Sequence, residues 1–218
     1  MPGCAKHRER DNAMRFFSRR QETLSEDEQR DLDDRLIDSA KYGTTEMVQT
    51  LLTAGADVHA GDDWALRLAA SNGHTESVRL LLVSGANVHA GDDWALGWAA
   101  YNGHTETVQV LLAADADVHA HGDEALRWAA RNGRTGTLRV LTRHIFAADS
   151  WRGKNRTEIE AYATALYDKV EATGLQPERL HQAATILADC AIDCWHHVRP
   201  PPPPGFKISP LPAQPRPL

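Results

Sequence analysis

The thirty residues from Asp57 to Ala86, DVHAGDDWALRLAASNGHTESVRLLLVSGA, are followed without a gap by NVHAGDDWALGWAAYNGHTETVQVLLAADA, Asn87 to Ala116, and twenty of the thirty positions are identical. A weaker copy spans 117–146. One period upstream, 27–56 keeps Leu36, Ala40, Gly43, Glu46, Val48, Leu51, Leu52, Gly55 and Ala56 in phase. Four units at one fixed period specify a solenoid, in which each unit buries its apolar face only against its neighbours.

The segments GADVHA, ALRLAASNGHTESVRLLLVSGA and GWAAYNGHTETVQVLL resemble the ankyrin repeat, over roughly residues 27 to 146. That resemblance implies an all-α stack of about four helix-turn-helix units: a turn, a short helix, Gly-His, a longer helix ending in Leu-Leu, then Gly-Ala-Asp. It also implies a non-catalytic adaptor, scaffold or inhibitor that takes a protein partner on its concave face, without a cofactor. Two departures stand out. The period is thirty residues against the usual ~33, and the shortfall lies between Val58 and Leu66, where the family carries its protruding turn. The family's Thr-Pro-Leu-His appears here as Trp64-Ala65-Leu66-Arg67, Trp94-Ala95-Leu96-Gly97 and Glu124-Ala125-Leu126-Arg127.

With the threonine cap missing, Asp33, Asp63, Asp93 and Asp123 are the polar residues kept in phase in all four units, and they are expected to cap the first helices. Gly43, Gly73, Gly103 and Gly133 sit where the chain must leave the first helix with positive φ. Val48, Leu51 and Leu52, with Val78, Leu81 and Leu82 and then Val108, Leu111 and Leu112, follow the i, i+3, i+4 spacing of one buried helical face.

The flanks are not periodic. Residues 1–22 are basic and mixed, with Phe16 and Phe17 among arginines, and are expected to be disordered, leaving a docking role for the aromatic pair open. Ser25 and Glu28 fit a capping box that starts the first helix, so the repeat region is placed at 23–146. Within 147–198, Thr157 and Glu160 suggest the cap of a helix carrying Ile159, Tyr162, Leu166 and Val170. Gly174 ends that helix, and Pro177 opens another with Leu180, Ala184, Leu187, Ala191 and Cys194 inside. This hairpin is expected to seal the last repeat, the alternative being a separate module that dimerises or docks elsewhere. Residues 199–218 form a proline-rich tail, expected to be disordered, in which Pro212, Pro215 and Arg216 leave an SH3-type ligand open.

Net charge is −6 and hydrophobic content 42%, an ordinary balance for a soluble protein. No run approaches the ~20 apolar residues of a membrane span, and the basic start does not read as a secretory signal. Cys4, Cys190 and Cys194 are too few for a disulfide framework. These features point to a cytoplasmic protein, expected to be monomeric. The stretch 127–156 is strongly basic while 21–120 is acidic, so an anionic ligand or, less favoured, nucleic acid at that end is the alternative function. Homo-oligomeric assembly through the C-terminal helices is a third.

Metal and catalytic motifs find no complete set. His59, His89 and His119 recur one repeat apart, ~10 Å by the geometry of stacked units, far beyond one ~2 Å coordination shell. His119 with His121 lacks a third ligand. Cys190, Cys194 and His197 share a helical face, but they also continue its apolar stripe. The Asp62-Asp63 and Asp92-Asp93 pairs lack a calcium-loop pattern. No cofactor, metal or catalytic residue is assigned.

Binding specificity must lie where near-identical units differ. Arg67 becomes Gly97 and Arg127, Leu68 becomes Trp98 and Trp128, Ser71 becomes Tyr101 and Arg131, and Trp64 and Trp94 become Glu124. Trp98 and Trp128 occupy a family leucine position and are expected in the core. Trp64 and Trp94 either fill the space of the missing turn or bind. The candidate partner-binding set is Asp62, Trp64, Arg67, Asp92, Trp94, Tyr101, Arg127 and Arg131.

Overall fold

The computed structural model describes residues 25–147, 151 and 154–198, and all elements among them are helices. They come in antiparallel pairs: α1 (Glu26–Tyr42) with α2 (Thr45–Ala54), α3 (Ala60–Ser71) with α4 (Thr75–Val83), α5 (Ala90–Asn102) with α6 (Thr105–Ala113), and α7 (Ala120–Arg131) with α8 (Thr135–Ile145). A last pair, α9 (Arg156–Glu171) and α10 (Pro177–Val198), follows. The first helices stack α1 on α3 on α5 on α7, and the second helices α2 on α4 on α6 on α8. The hairpin continues both rows, with α9 on α7 and α10 on α8.

Each layer buries the same positions. Leu36, Leu66, Leu96 and Leu126 from the first helices, and Val48, Val78, Val108 and Leu138 from the second, are almost wholly buried. Full burial of one such side chain contributes about 1.5–3 kcal/mol. The core runs on without a break into Ile159, Leu166 and Val170 of α9 and Ala183, Ile186, Leu187, Cys190, Ala191 and Cys194 of α10. Burial pushes the Cys190 and Cys194 thiols above their ordinary value of 9.0, which keeps them protonated and unreactive. The side chain of His197 lies outside the described residues, as do residues 1–24 with Phe16 and Phe17 and the whole proline tail.

The repeating aspartates do not cap their own helices. Asp33 lies inside α1, and its Oδ1 accepts the Asp57 N–H of the next unit at 2.7 Å. Asp63 likewise accepts from Asn87 and Asp93 from Asp117, both at 2.8 Å. Their own units supply histidine: His59 to Asp63 and His89 to Asp93, each at 3.1 Å, and His119 to Asp123 at 2.6 Å. The aspartates are therefore ties between units: Asp33, Asp63 and Asp93 each take the first N–H of the loop that opens the next unit.

That turn is itself unusual. Gly61, Asp62 and Asp63, then Gly91, Asp92 and Asp93, then His121, Gly122 and Asp123 all adopt left-handed φ/ψ, with φ between 50° and 66°. Such a conformation costs most L-residues roughly 1–2 kcal/mol and Asp rather less, which explains why only Gly, Asp and His occupy it. The short left-handed turn replaces the family's finger.

Two further ladders cross the units. His74 Nε2 meets the Lys41 carbonyl at 3.0 Å, His104 Nε2 the Ser71 carbonyl at 3.1 Å, and Arg134 Nε donates to the Tyr101 carbonyl at 3.2 Å. A Cβ on Gly43, Gly73 or Gly103 would collide with the side chain arriving there, so those glycines supply close approach as well as positive φ. Hydroxyl pairs Thr45–Ser77, Thr75–Thr107 and Thr105–Thr137, at 2.9–3.1 Å, tie the second helices.

The hairpin completes two of these ladders. Lys169 of α9 donates to Asp123, where another unit's N–H would stand, and Arg179 of α10 donates to the Arg131 carbonyl in the manner of His74, His104 and Arg134. Its start differs from the Thr157–Glu160 expectation: the capping box is Asn155 with Glu158, at 3.0 and 2.8 Å. Starting two residues earlier lets Arg156 pair with Glu160 one turn on, at 2.6 Å. The other expected box, Ser25 with Glu28, is present.

Candidate functional site

The residues that vary between units line one face, built from the left-handed turns and first helices α3, α5 and α7. Because the buried faces of these helices carry Ala65, Leu66, Ala69 and Ala70 and their equivalents, positions 64, 67, 68 and 71 of each unit fall on or near the surface.

In the second unit the Arg67 guanidinium lies over the Trp64 ring at 4.4 Å and the Trp94 ring at 5.4 Å, and Arg67 Nη1 donates to Asp62 Oδ2 at 2.9 Å. Arg67 is sandwiched between indoles of two successive units, and its side chain is only 14% exposed. Trp64 and Trp94 therefore pack and remain accessible at once, at 36% and 39% exposure. Asp62 holds a left-handed φ of 61° and its carboxylate pairs with this guanidinium.

Next to this sandwich lies an aromatic cluster. Trp98 meets Trp94 at 6.0 Å, Tyr101 at 5.5 Å and Trp128 at 5.7 Å, and Tyr101 meets Trp128 at 5.8 Å, mostly edge to face. Trp98 and Trp128 are half-buried rather than in the core. Ala99, Ala100, Ala129 and Ala130 take the fully buried side of the same helices, and the indoles lie beside it, across the face. Pairs of this kind add about 0.5–1.5 kcal/mol beyond their burial.

The basic members sit farther along the stack. Arg127 donates through Nη2 to the His121 carbonyl at 3.1 Å. Arg127 and Arg131, with Trp128, Lys169, Ala172 and Thr173, line a cavity of about 320 Å3 between the fourth unit and the hairpin. Asp92 stands apart from both groups, on the cleft between Trp94 and His121. Thus Asp62, Trp64, Arg67 and Trp94 form one assembly, Tyr101 joins it through Trp98, and Arg127 and Arg131 form another, bridged by Trp128.

The residues 66–154 match the family model described as ankyrin repeats (3 copies). Over that stretch the repeats are ankyrin repeats. No curated protein matches the chain. Ankyrin repeats are in general protein–protein interaction modules. No helix among the described residues is long and apolar enough to cross a membrane.

In these ankyrin units, reading position by position left three contributors out. Trp98 and Trp128 were placed by the family's leucine rather than by their volume, although two indoles three residues from Tyr101 and Arg131 signal a continuous patch. Lys169 carries no signal in the repeat pattern, because it arrives from outside the array.

Proposed function

We propose that this protein is a non-catalytic adaptor or inhibitor that binds a partner protein on the concave face formed by α3, α5 and α7. The observation that carries the reading is the connected surface running from Trp64 and Arg67 through Trp94, Trp98 and Tyr101 to Trp128. Aromatic and arginine side chains dominate interface energetics, and a chain that holds four indoles and a tyrosine at a partly exposed surface keeps them there against the tendency to bury them. The candidate residues Asp62, Asp92, Arg127 and Arg131 rim this surface with charge, acidic toward the second and third units and basic toward the fourth.

A second reading rests on the cavity lined by Arg127, Arg131 and Lys169, which suits a small anion or a phosphate group. Lys169 is committed to Asp123, leaving the two arginines as the cations at work, and this makes the protein-binding reading the stronger.

Affinity capture from the source lysate separates them. Wild-type protein is compared with a Trp94→Ala, Tyr101→Ala, Arg131→Glu variant, each checked by circular dichroism, at ~150 mM and ~500 mM salt. The concave-face reading predicts a protein retained at high salt and lost in the variant. Capture that collapses at high salt supports the anion reading, and capture unaffected by the substitutions refutes the assigned surface.

A further inference from the structure

One arginine position serves two different ends in the second and fourth units. Arg67 is neutralised from within the chain: its Nη1 meets Asp62 at 2.9 Å, and its guanidinium lies against the Trp64 and Trp94 rings. Two repeats on, Arg127 holds the same helical position, but Gly122 stands where Asp62 does and Glu124 where Trp64 does. Arg127 donates to the His121 carbonyl at 3.1 Å and pairs with no carboxylate among the described residues. One turn later Arg131 replaces Ser71 and Tyr101; it is exposed and likewise pairs with no carboxylate among the described residues.

Both arginines line the cavity of about 320 Å3 between α7 and α9, together with Trp128, Lys169, Ala172 and Thr173, and no carboxylate lines it. Asp123 is 1% exposed and is already held by His119 and Lys169. The C-terminal ends of α7 and α9 each bring roughly half a negative charge, and Arg179 meets the first of them at the Arg131 carbonyl. Two guanidinium charges outweigh what remains, so the cavity is positive. Trp128 also belongs to the aromatic face through Trp98 and Tyr101, and a partner lying on that face reaches the edge of the cavity.

We infer that this cavity takes the phosphoryl group of a phosphorylated side chain of the partner protein, so that phosphorylation of the partner strengthens docking. The inference rests on the concave face being the docking surface. A phosphoryl group carries about −1.5 to −2 charges and three acceptor oxygens, enough for both guanidinium groups at once. A carboxylate brings one charge and leaves one arginine unmatched. The planar fork of arginine suits such an oxyanion, and Lys169, turned to Asp123, is not needed for it.

The test uses the full chain and three short Gly-Ala peptides that differ at one position, phosphoserine, glutamate or serine, with inorganic phosphate as a fourth probe. Each is titrated against the Trp128 indole N–H resonance. The phosphoserine peptide is expected to bind about tenfold more tightly than the glutamate peptide, and the serine peptide not to bind. Arg127→Gln and Arg131→Gln are each expected to bring phosphoserine down to the glutamate level, with circular dichroism checking both folds. Arg131→Gln keeps the test valid should loss of the Arg127 bond to His121 disturb the turn. Equal binding of phosphoserine and glutamate, binding unchanged by both variants, or no binding of any peptide overturns the inference. Phosphatase treatment of the lysate then addresses the partner itself. Capture weakened about tenfold supports the inference; capture unchanged overturns it, in favour of free phosphate where inorganic phosphate shifts Trp128 as strongly as the peptide does. If no peptide binds while a Trp94→Ala, Tyr101→Ala variant still loses its captured protein, the docking face stands and the phosphoryl site falls.

Discussion

Asp93 shows how one side chain serves two repeats. It is buried, holds a left-handed φ of 62°, meets His89 and accepts the Asp117 N–H. Asp93→Ala removes the short polar side chain that makes the left-handed conformation tolerable and orphans a backbone donor, for an expected loss of about 2–3 kcal/mol in urea unfolding. Asp93→Asn keeps an acceptor and tolerates the conformation, and about 1 kcal/mol or less is expected. Equal losses would mean that the tie to Asp117 contributes nothing. The sequence made the importance of this position legible, since Asp recurs there in every unit, but not its role. Periodicity reports that a position is constrained; it does not report whether the partner lies in the same unit or the next. The same holds for Trp98, which is half-buried among the rings of Trp94, Tyr101 and Trp128 rather than in the core.

Among the elements, α9 and α10 join the array without sharing its repeat, through the common core and through two polar contacts of their own. Lys169 and Arg179 reach Asp123 and the Arg131 carbonyl, the two ladder positions left open by the absence of another unit. Lys169→Met leaves the buried Asp123 carboxylate with His119 alone, and a loss of about 1–3 kcal/mol is expected, discounted because the lysine is half exposed. Faster amide exchange should then appear in α9 before it does in α3 or α5; uniform exchange would contradict the docking described.

The hairpin also carries a pH dependence. Burial raises the Cys190 and Cys194 thiols above 9.0, and burial with the nearby Asp123 carboxylate raises the Tyr162 phenol above 10.0. The folded state therefore favours the neutral forms, so their contribution is fully present below the unfolded values and is lost as pH rises through the folded ones. The urea midpoint should fall from about pH 8 to about pH 10.5, with Cys190 and Cys194 becoming open to alkylation, whereas an unchanged midpoint would place these groups in water. The apolar pattern announced these two helices and part of their inner faces, Leu187, Ala191 and Cys194 being buried while Ala183 and Ile186 take the place expected of Ala184, and capping chemistry announced that α9 begins near Thr157. Its true start at Asn155 was hidden because Asn, Ser and Thr are close competitors at a cap, and only the Arg156–Glu160 pair and the packing of Ile159 separate them.

At the scale of the whole molecule, stability is a sum of units and junctions, whereas binding depends on the units differing. Leu81 and Leu111, fully buried at equivalent places, should each cost about 2–5 kcal/mol when cut to Ala without changing what the protein recognises. Trp94, Trp98, Tyr101 and Trp128 lie on the face where units diverge, and there the effect should be on affinity. The array was legible from the repeat alone; the continuity of the face was not, because it arises when residues thirty apart in sequence are stacked.

The most direct test is amide hydrogen exchange of the full chain with and without its captured partner. The account predicts protection concentrated in α3, α5 and α7, strongest around residues 91–101 and 121–131, with α4, α6 and α8 little changed. Protection confined to the second helices or to α9 and α10 would contradict it and move the binding surface off the concave face.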